Sequence, residues 1–121
     1  MLPTSPRAFF APAPGGFTVA SIRLRDVPKG LRIEVRCTAT RGCQSKRKTL
    51  TRGTKKRFGS FKLPRFTSGM LPRGSVVEIR ASKPGFVGRR FRWGPKLTSA
   101  GVPLFTELCV KPNKRKPVRC R

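Results

Sequence analysis

Short runs in which every second residue is apolar, separated by turns that contain proline and glycine, constrain this chain most strongly. Such runs occur at 18–25, 31–37, 58–63, 77–82 and 86–93. A period of two residues is the pattern of a strand with one buried face, and no segment keeps a helical period over three turns. The sequence therefore predicts an all-β fold, a small antiparallel sandwich or a partly open barrel with long basic loops.

The first two runs are separated by 26–30, which contains Pro28 and Gly30 and is typical of a turn. We therefore expect 18–25 and 31–37 to form an antiparallel hairpin. Ala20, Ile22 and Leu24 are the expected inward residues of the first run. Further turns are expected at 71–74 and 83–85.

The segment 1–16 contains four prolines and ends in two glycines. Proline and glycine at this density disfavour regular structure, so 1–16 is expected to be a tail or linker before a folded domain at 17–121. Residues 1–7 lack the basic and then apolar regions of a secretory signal, and an export signal is therefore not visible in this chain. No stretch is long and apolar enough to cross a bilayer.

The four cysteines lie in two short-range pairs, Cys37 with Cys43 and Cys109 with Cys120, and the chain has no histidine. Zinc sites, free thiols and disulfides are the three possible uses. Structural zinc favours closer cysteine spacings or histidine partners, so disulfides are the preferred interpretation. Four cysteines permit three connectivities. We expect local pairing, because each pair flanks a loop that contains glycine or proline.

The chain carries 29 Lys and Arg against 4 Asp and Glu, a net charge of +25. A field of this sign attracts polyanions, whether nucleic acid, anionic cell-wall polymer or anionic lipid, and charge alone does not choose among them. Arginine also suits phosphate and carboxylate through two parallel hydrogen bonds.

The basic residues are concentrated in a loop at 41–57, in the C-terminal segment and on the outward face of the strands. The outward residues are expected to be Arg23, Arg25, Arg32, Arg36, Arg80, Arg90 and Arg92. The predicted polyanion-binding residues are Arg41, Lys46, Arg47, Lys48, Arg52, Lys55, Lys56, Arg57, Arg90, Arg92, Lys114, Arg115 and Lys116.

The chain has few residues of the types that commonly carry out catalysis. Histidine is absent, the only acids are Asp26, Glu34, Glu78 and Glu107, and no nucleophile motif is present. The sequence therefore predicts no enzymatic activity, no catalytic residue, no cofactor and no metal site.

The order of motifs along 17–121 resembles that of a cysteine-paired β module found in exported proteins of actinobacteria and their relatives. The matching pieces are Val27-Pro28-Lys29-Gly30, Val35-Arg36-Cys37, Gly42-Cys43, Leu71-Pro72-Arg73-Gly74, Val77-Glu78-Ile79-Arg80, Pro84-Gly85-Phe86-Val87-Gly88, Leu108-Cys109 and Val118-Arg119-Cys120. Arg73 departs from the proline of that pattern. The resemblance implies an extracellular or envelope-associated β domain without an assigned activity.

Two functional hypotheses follow. The first is a non-enzymatic, extracellular or envelope-associated binding or structural module, whose basic surface contacts anionic polymers of the cell envelope. The alternative is a cytoplasmic nucleic-acid-binding protein with non-specific contacts to the phosphate backbone, and with affinity that falls steeply with salt.

Overall fold

The computed structural model describes residues 4–28, 30–43, 47–52, 58–62, 67, 69–111 and 116–120, with the course of the backbone alone for 47–52 and 58–62. Within these residues the chain forms β-strands and no helix, and hence no helix that could cross a membrane. The strands are β1 (Ser5–Ala13), β2 (Gly16–Pro28), β3 (Leu31–Thr38), β4 (Arg47–Arg52), β5 (Phe58–Lys62), β6 (Leu71–Pro72), β7 (Val76–Ser82), β8 (Gly88–Leu97), β9 (Pro103–Val110) and β10 (Val118–Arg119).

The strands form two antiparallel sheets that enclose one core. The smaller sheet has the order β1-β2-β5, and the short β6 also pairs with β2. The larger sheet has the order β10-β9-β8-β7-β3-β4. The predicted all-β, sandwich-like fold is confirmed.

The core lies between the sheets and is made of apolar side chains at alternate strand positions. Burial of each large apolar side chain contributes roughly 1.5–3 kcal/mol relative to exposure. The predicted inward residues of β7 and β8, among them Ile79 and Phe91, are buried as expected. The buried cluster consists of Phe17, Ile22, Leu24, Val27, Leu31, Ile33, Val35, Cys37, Leu71, Val77, Ile79, Ala81, Phe91 and Trp93.

Two irregularities in β2 change which residues point inward. Phe9 pairs with Ser21 and Phe10 with Val19, so Ala20 has no partner in register and is exposed. The prediction that Ala20 faces the core is therefore wrong, because a bulge shifts the alternation by one residue. A second irregularity lies between Leu24 and Val27, where Asp26 has a φ of 53°.

The predicted hairpin of 18–25 with 31–37 is wrong, although both strands exist. β2 pairs with β1, β5 and β6, whereas β3 pairs with β4 and β7 in the other sheet. The turn after Pro28 therefore carries the chain from one sheet to the other. Both strands bury one face in the same core, and alternation does not distinguish strands that pair side by side from strands that pack face to face.

The N-terminal segment also differs from the expectation of an irregular tail. Residues 5–13 form β1, which pairs with β2 along its length despite Pro6 and Pro12. Proline is tolerated in an edge strand, since one side of such a strand needs no donor. Phe10 packs edge-on against Phe17, with ring centroids 5.8 Å apart, and also contacts Trp93.

Candidate functional site

The outer face of the larger sheet carries cross-strand rows of arginine and glutamate. In one row Arg36 on β3 pairs with Glu78 on β7, which pairs with Arg92 on β8. In the next row Glu34 pairs with Arg80, which pairs with Arg90. Neighbouring strands lie about 4.8 Å apart, so these rows form a compact charged lattice. We call this set the arginine face: Arg32, Glu34, Arg36, Glu78, Arg80, Arg90 and Arg92.

Glu78 is the centre of this lattice. Its carboxylate lies 2.7 Å from Nε of Arg80, 3.5 Å from a terminal nitrogen of Arg92 and 4.0 Å from Nε of Arg90. Its side chain is only 8% exposed, less than the side chain of any of these three arginines. Glu34 makes a similar contact with Nε of Arg36 at 2.6 Å.

Arg80 and Arg90 stand directly opposite each other on neighbouring strands. Like charges in this position are unfavourable. The pKa of Arg90 is lowered by burial and then by the nearby Arg80, while Glu78 acts in the opposite direction. The arginine face therefore places two positive charges at paired strand positions where neutral side chains would make the sheet more stable.

The structure brings together only some of the predicted polyanion-binding residues. Arg90 and Arg92 lie at the centre of the arginine face. Arg47 is in register with Arg36 at the edge strand β4, whereas Lys48 and Arg52 are in register with the buried Val35 and Leu31. Arg41 and Lys116 are exposed on separate loops. Lys46, Lys55, Lys56, Arg57, Lys114 and Arg115 lie outside the described residues.

Three arginines of the arginine face, Arg32, Arg36 and Arg80, are missing from the predicted binding set, although the alternation placed them on an outward face. Arg36 and Arg80 are the two that belong to the paired rows. The signal that identifies them is their position opposite an acid or another arginine, which requires the strand order. Arg23 and Arg25 were expected on the same face but belong to β2, and Arg23 is instead in register with Arg7 of β1. Both sheets thus present arginine outward, on opposite sides of the sandwich.

The four cysteines form the two predicted disulfides, Cys37–Cys43 and Cys109–Cys120. Cys43 also makes a bridge to Thr67, so the first disulfide joins the end of β3 to another segment. The second holds the two-residue β10 against β9, where Val118 is in register with Cys109. Disulfides form and persist in oxidising compartments, so both bonds indicate an oxidising, extracellular-type environment.

A separate ion pair lies on the inner side of the larger sheet. Arg89 contacts the carboxylate of Glu107 on β9 and donates a hydrogen bond to the backbone carbonyl of Thr4 at 2.6 Å. Its guanidinium carbon is also 5.2 Å from the centroid of the Phe91 ring, and burial lowers its pKa. These contacts attach the start of β1 to β8 and β9, which indicates a structural role for Arg89.

No protein-family model matches this chain, and no curated protein and no solved structure matches it either.

Proposed function

We propose that this protein is a non-enzymatic binding module that associates with anionic polymers of the cell envelope through the arginine face. The observation that carries the proposal is the direct juxtaposition of Arg80 and Arg90 around the buried carboxylate of Glu78. Like charges held side by side reduce stability, and a bound polyanion would relieve that repulsion.

The glutamates of the face favour binding as well as folding. They contact Nε of Arg36 and Nε of Arg80 and so restrict the conformations of long side chains before a ligand arrives. Ordering such side chains on association costs roughly 0.5–1.5 kcal/mol each. Because part of this cost is met during folding, the face is better prepared for phosphate or carboxylate than a set of mobile surface lysines.

The acids support a binding role more than a catalytic one. Glu34, Glu78 and Glu107 each contact an arginine, and Asp26 is exposed at a bulge. General acid–base catalysis requires a group positioned to exchange a proton with a bound substrate. The acids of this chain are instead held beside arginines or in open solvent.

The envelope location rests on the disulfides together with the motif resemblance of 17–121. Anionic polymers are abundant outside a cell membrane, and a cationic module with oxidised cysteines would meet them there. The cytoplasmic nucleic-acid alternative requires a compartment in which thiols are kept reduced, which both disulfides disfavour.

The test compares two double variants that remove the same charge. Arg90→Gln with Arg92→Gln alters the arginine face, whereas Arg7→Gln with Arg25→Gln alters exposed arginines of the opposite sheet. Binding of the oxidised protein to poly(glycerol phosphate), polygalacturonate and duplex DNA is measured by titration calorimetry at several salt concentrations. Thermal melting checks that both variants are folded.

We expect the first variant to bind poly(glycerol phosphate) at least about tenfold more weakly at roughly 0.15 M salt, with a salt slope reduced by about two. The matched control should change affinity by about twofold or less. Equal losses in both variants would show that net charge, not the arginine face, controls binding. Tighter binding to DNA than to either envelope-type polymer would favour the cytoplasmic alternative.

A further inference from the structure

Three turns from distant parts of the sequence meet at one end of the sandwich. Arg73, after β6, donates its backbone N–H to the carbonyl of Gly15 in the β1–β2 turn at 2.8 Å. The β8–β9 loop approaches the same turn, since a Cβ on Gly101 would lie 2.9 Å from the side chain of Pro12. Loops at the ends of a sandwich are common binding positions because the sheets hold them in place.

Close backbone contacts fix the positions of the elements where these turns meet, which we call the junction. A side chain at Gly94 would collide with the carbonyl oxygen of Ser75, and the φ of Gly94 is 99°. Ser75 in turn donates from its hydroxyl to the carbonyl of Pro72 at 2.5 Å. The β6–β7 turn is therefore seated directly on β8, which brings Arg73 beside the residues that follow Gly94.

The junction borders an open cleft with a volume of about 580 Å³. This volume is within the range of small-molecule sites. Two exposed cations, Arg73 and Lys96, lie at its wall. Thr98 and Ser99 add hydroxyl groups, and the Thr98 oxygen already accepts an N–H from Ala100 at 3.3 Å, which leaves its own proton available to a ligand. The described lining residues include no acid and no aromatic: Arg73, Pro95, Lys96, Leu97, Thr98, Ser99 and Gly101.

This chemistry selects a class of ligand. Two cations without an opposing acid favour a phosphate or carboxylate. Hydroxyl groups beside the apolar Pro95 and Leu97 suit a small polyhydroxylated ring. A nucleotide base would instead require an aromatic platform, which the described lining does not provide.

We propose that this cleft binds an acidic sugar unit, with its phosphate or carboxylate between Arg73 and Lys96 and its hydroxyl groups toward Thr98 and Ser99. The inference rests on the proposed function, since such a unit would be part of the anionic polymer. The cleft and the arginine face share a strand, because Lys96 follows Arg90 and Arg92 along β8. In this arrangement the arginine face contacts the backbone of the polymer, and the cleft binds one of its sugar units.

The test uses small ligands, which separates it from polymer binding. N-acetylglucosamine 1-phosphate, galacturonate, neutral N-acetylglucosamine, inorganic phosphate and AMP are titrated into the intact oxidised protein, followed by amide chemical shifts. The variant is Arg73→Gln with Lys96→Gln. The matched control is Lys83→Gln with Lys111→Gln, which removes two lysines at the opposite end of β8.

We expect an acidic sugar to shift the amides of 73 and 96–101 and to bind at least about tenfold more tightly than neutral sugar or inorganic phosphate. The cleft variant should lose at least about tenfold in affinity, and the control should keep it. Comparison of N-acetylglucosamine 1-phosphate with galacturonate shows whether the cleft prefers a phosphate or a carboxylate on the sugar.

Equal binding of inorganic phosphate, tighter binding of AMP, or shifts confined to the arginine face would overturn the cleft assignment. Polymer binding that still depends on Arg90 and Arg92 would then leave the proposed function standing. If polymer binding were unaffected by Arg90→Gln with Arg92→Gln while the cleft still bound acidic sugar, the proposed function alone would be overturned.

Discussion

Arg80 and Arg90 face each other across β7 and β8, with the carboxylate of Glu78 2.7 Å from Nε of the first and 4.0 Å from Nε of the second. One acid thus offsets the repulsion between two arginines that the strand register forces together. The same carboxylate lies 3.5 Å from Arg92. Glu78 therefore contacts three arginines of the arginine face, whereas Glu34 contacts Arg36.

Replacing Glu78 by Gln should destabilise the fold by about 1–2 kcal/mol, less than for a fully buried pair because the arginines reach solvent. The deficit should shrink as salt screens the exposed repulsion. Urea unfolding at low and high salt measures both effects. The control Asp26→Asn also removes one acid, at an exposed position where Asn tolerates a positive φ. An equal loss in the control would contradict a special role for Glu78.

Replacing both Cys109 and Cys120 by Ser should release the C-terminal segment while the sheets remain. β10 has only two residues in register with β9, and a disulfide of this loop length contributes about 2–3 kcal/mol. Trypsin should therefore cleave after Arg119 much faster than in the parent protein. Mass spectrometry of early digests measures this.

The matched variant replaces Cys37 and Cys43 by Ser. It should lower the stability by a similar amount, about 2 kcal/mol for its shorter loop, yet leave the C-terminal cleavage rate unchanged. Retained protection of the C-terminus after loss of Cys109–Cys120 would show that pairing with β9 holds this segment by itself.

Gly94→Ala should destabilise the protein by about 3 kcal/mol, the sum of an unfavourable positive φ and a collision with the carbonyl of Ser75. Gly85→Ala is the matched control, because Gly85 has a φ of 82° but no atom within 4 Å of an added Cβ. The control should lose about 1 kcal/mol. Thermal or urea unfolding of the two variants separates the cost of the positive φ from the cost of the collision. Equal losses of stability would mean that the β6–β7 turn moves away from the added methyl group at little cost.

Arg89→Met should loosen the N-terminal end of β1, because it removes the hydrogen bond to Thr4 and leaves Glu107 without this partner. We expect a loss of about 2 kcal/mol and faster amide hydrogen exchange at the start of β1. Arg90→Met, one residue later on the outer face, should leave β1 exchange unchanged. Equal acceleration in both would argue against the anchoring role of Arg89.

Local patterns in the sequence predicted several features that the structure confirms. Alternation identified the buried faces of β3, β7 and β8, since a strand with one side in a core must repeat every two residues. The short separations within each cysteine pair predicted the disulfides. The cationic character of the surface follows directly from 29 basic residues and 4 acids.

The identity of each strand's neighbour could not be obtained in the same way. β2 and β3 were expected to pair with each other, and β1 was expected to be irregular, because alternation and proline content describe one segment at a time. Ala20 shows the same limit, since the bulge that exposes it is defined only by the partner strand.

The candidate sites depend on those long-range pairings. Composition and periodicity determined that this chain is a basic, disulfide-linked β domain, because each residue's preference for core, turn or surface is a local property. Only the tertiary structure decided that Arg80 stands opposite Arg90 beside Glu78, and that Arg73 and Lys96 line the same cleft. The reason is physical: register between strands and contact between turns come from packing two sheets over one core, and that packing joins residues far apart in the chain.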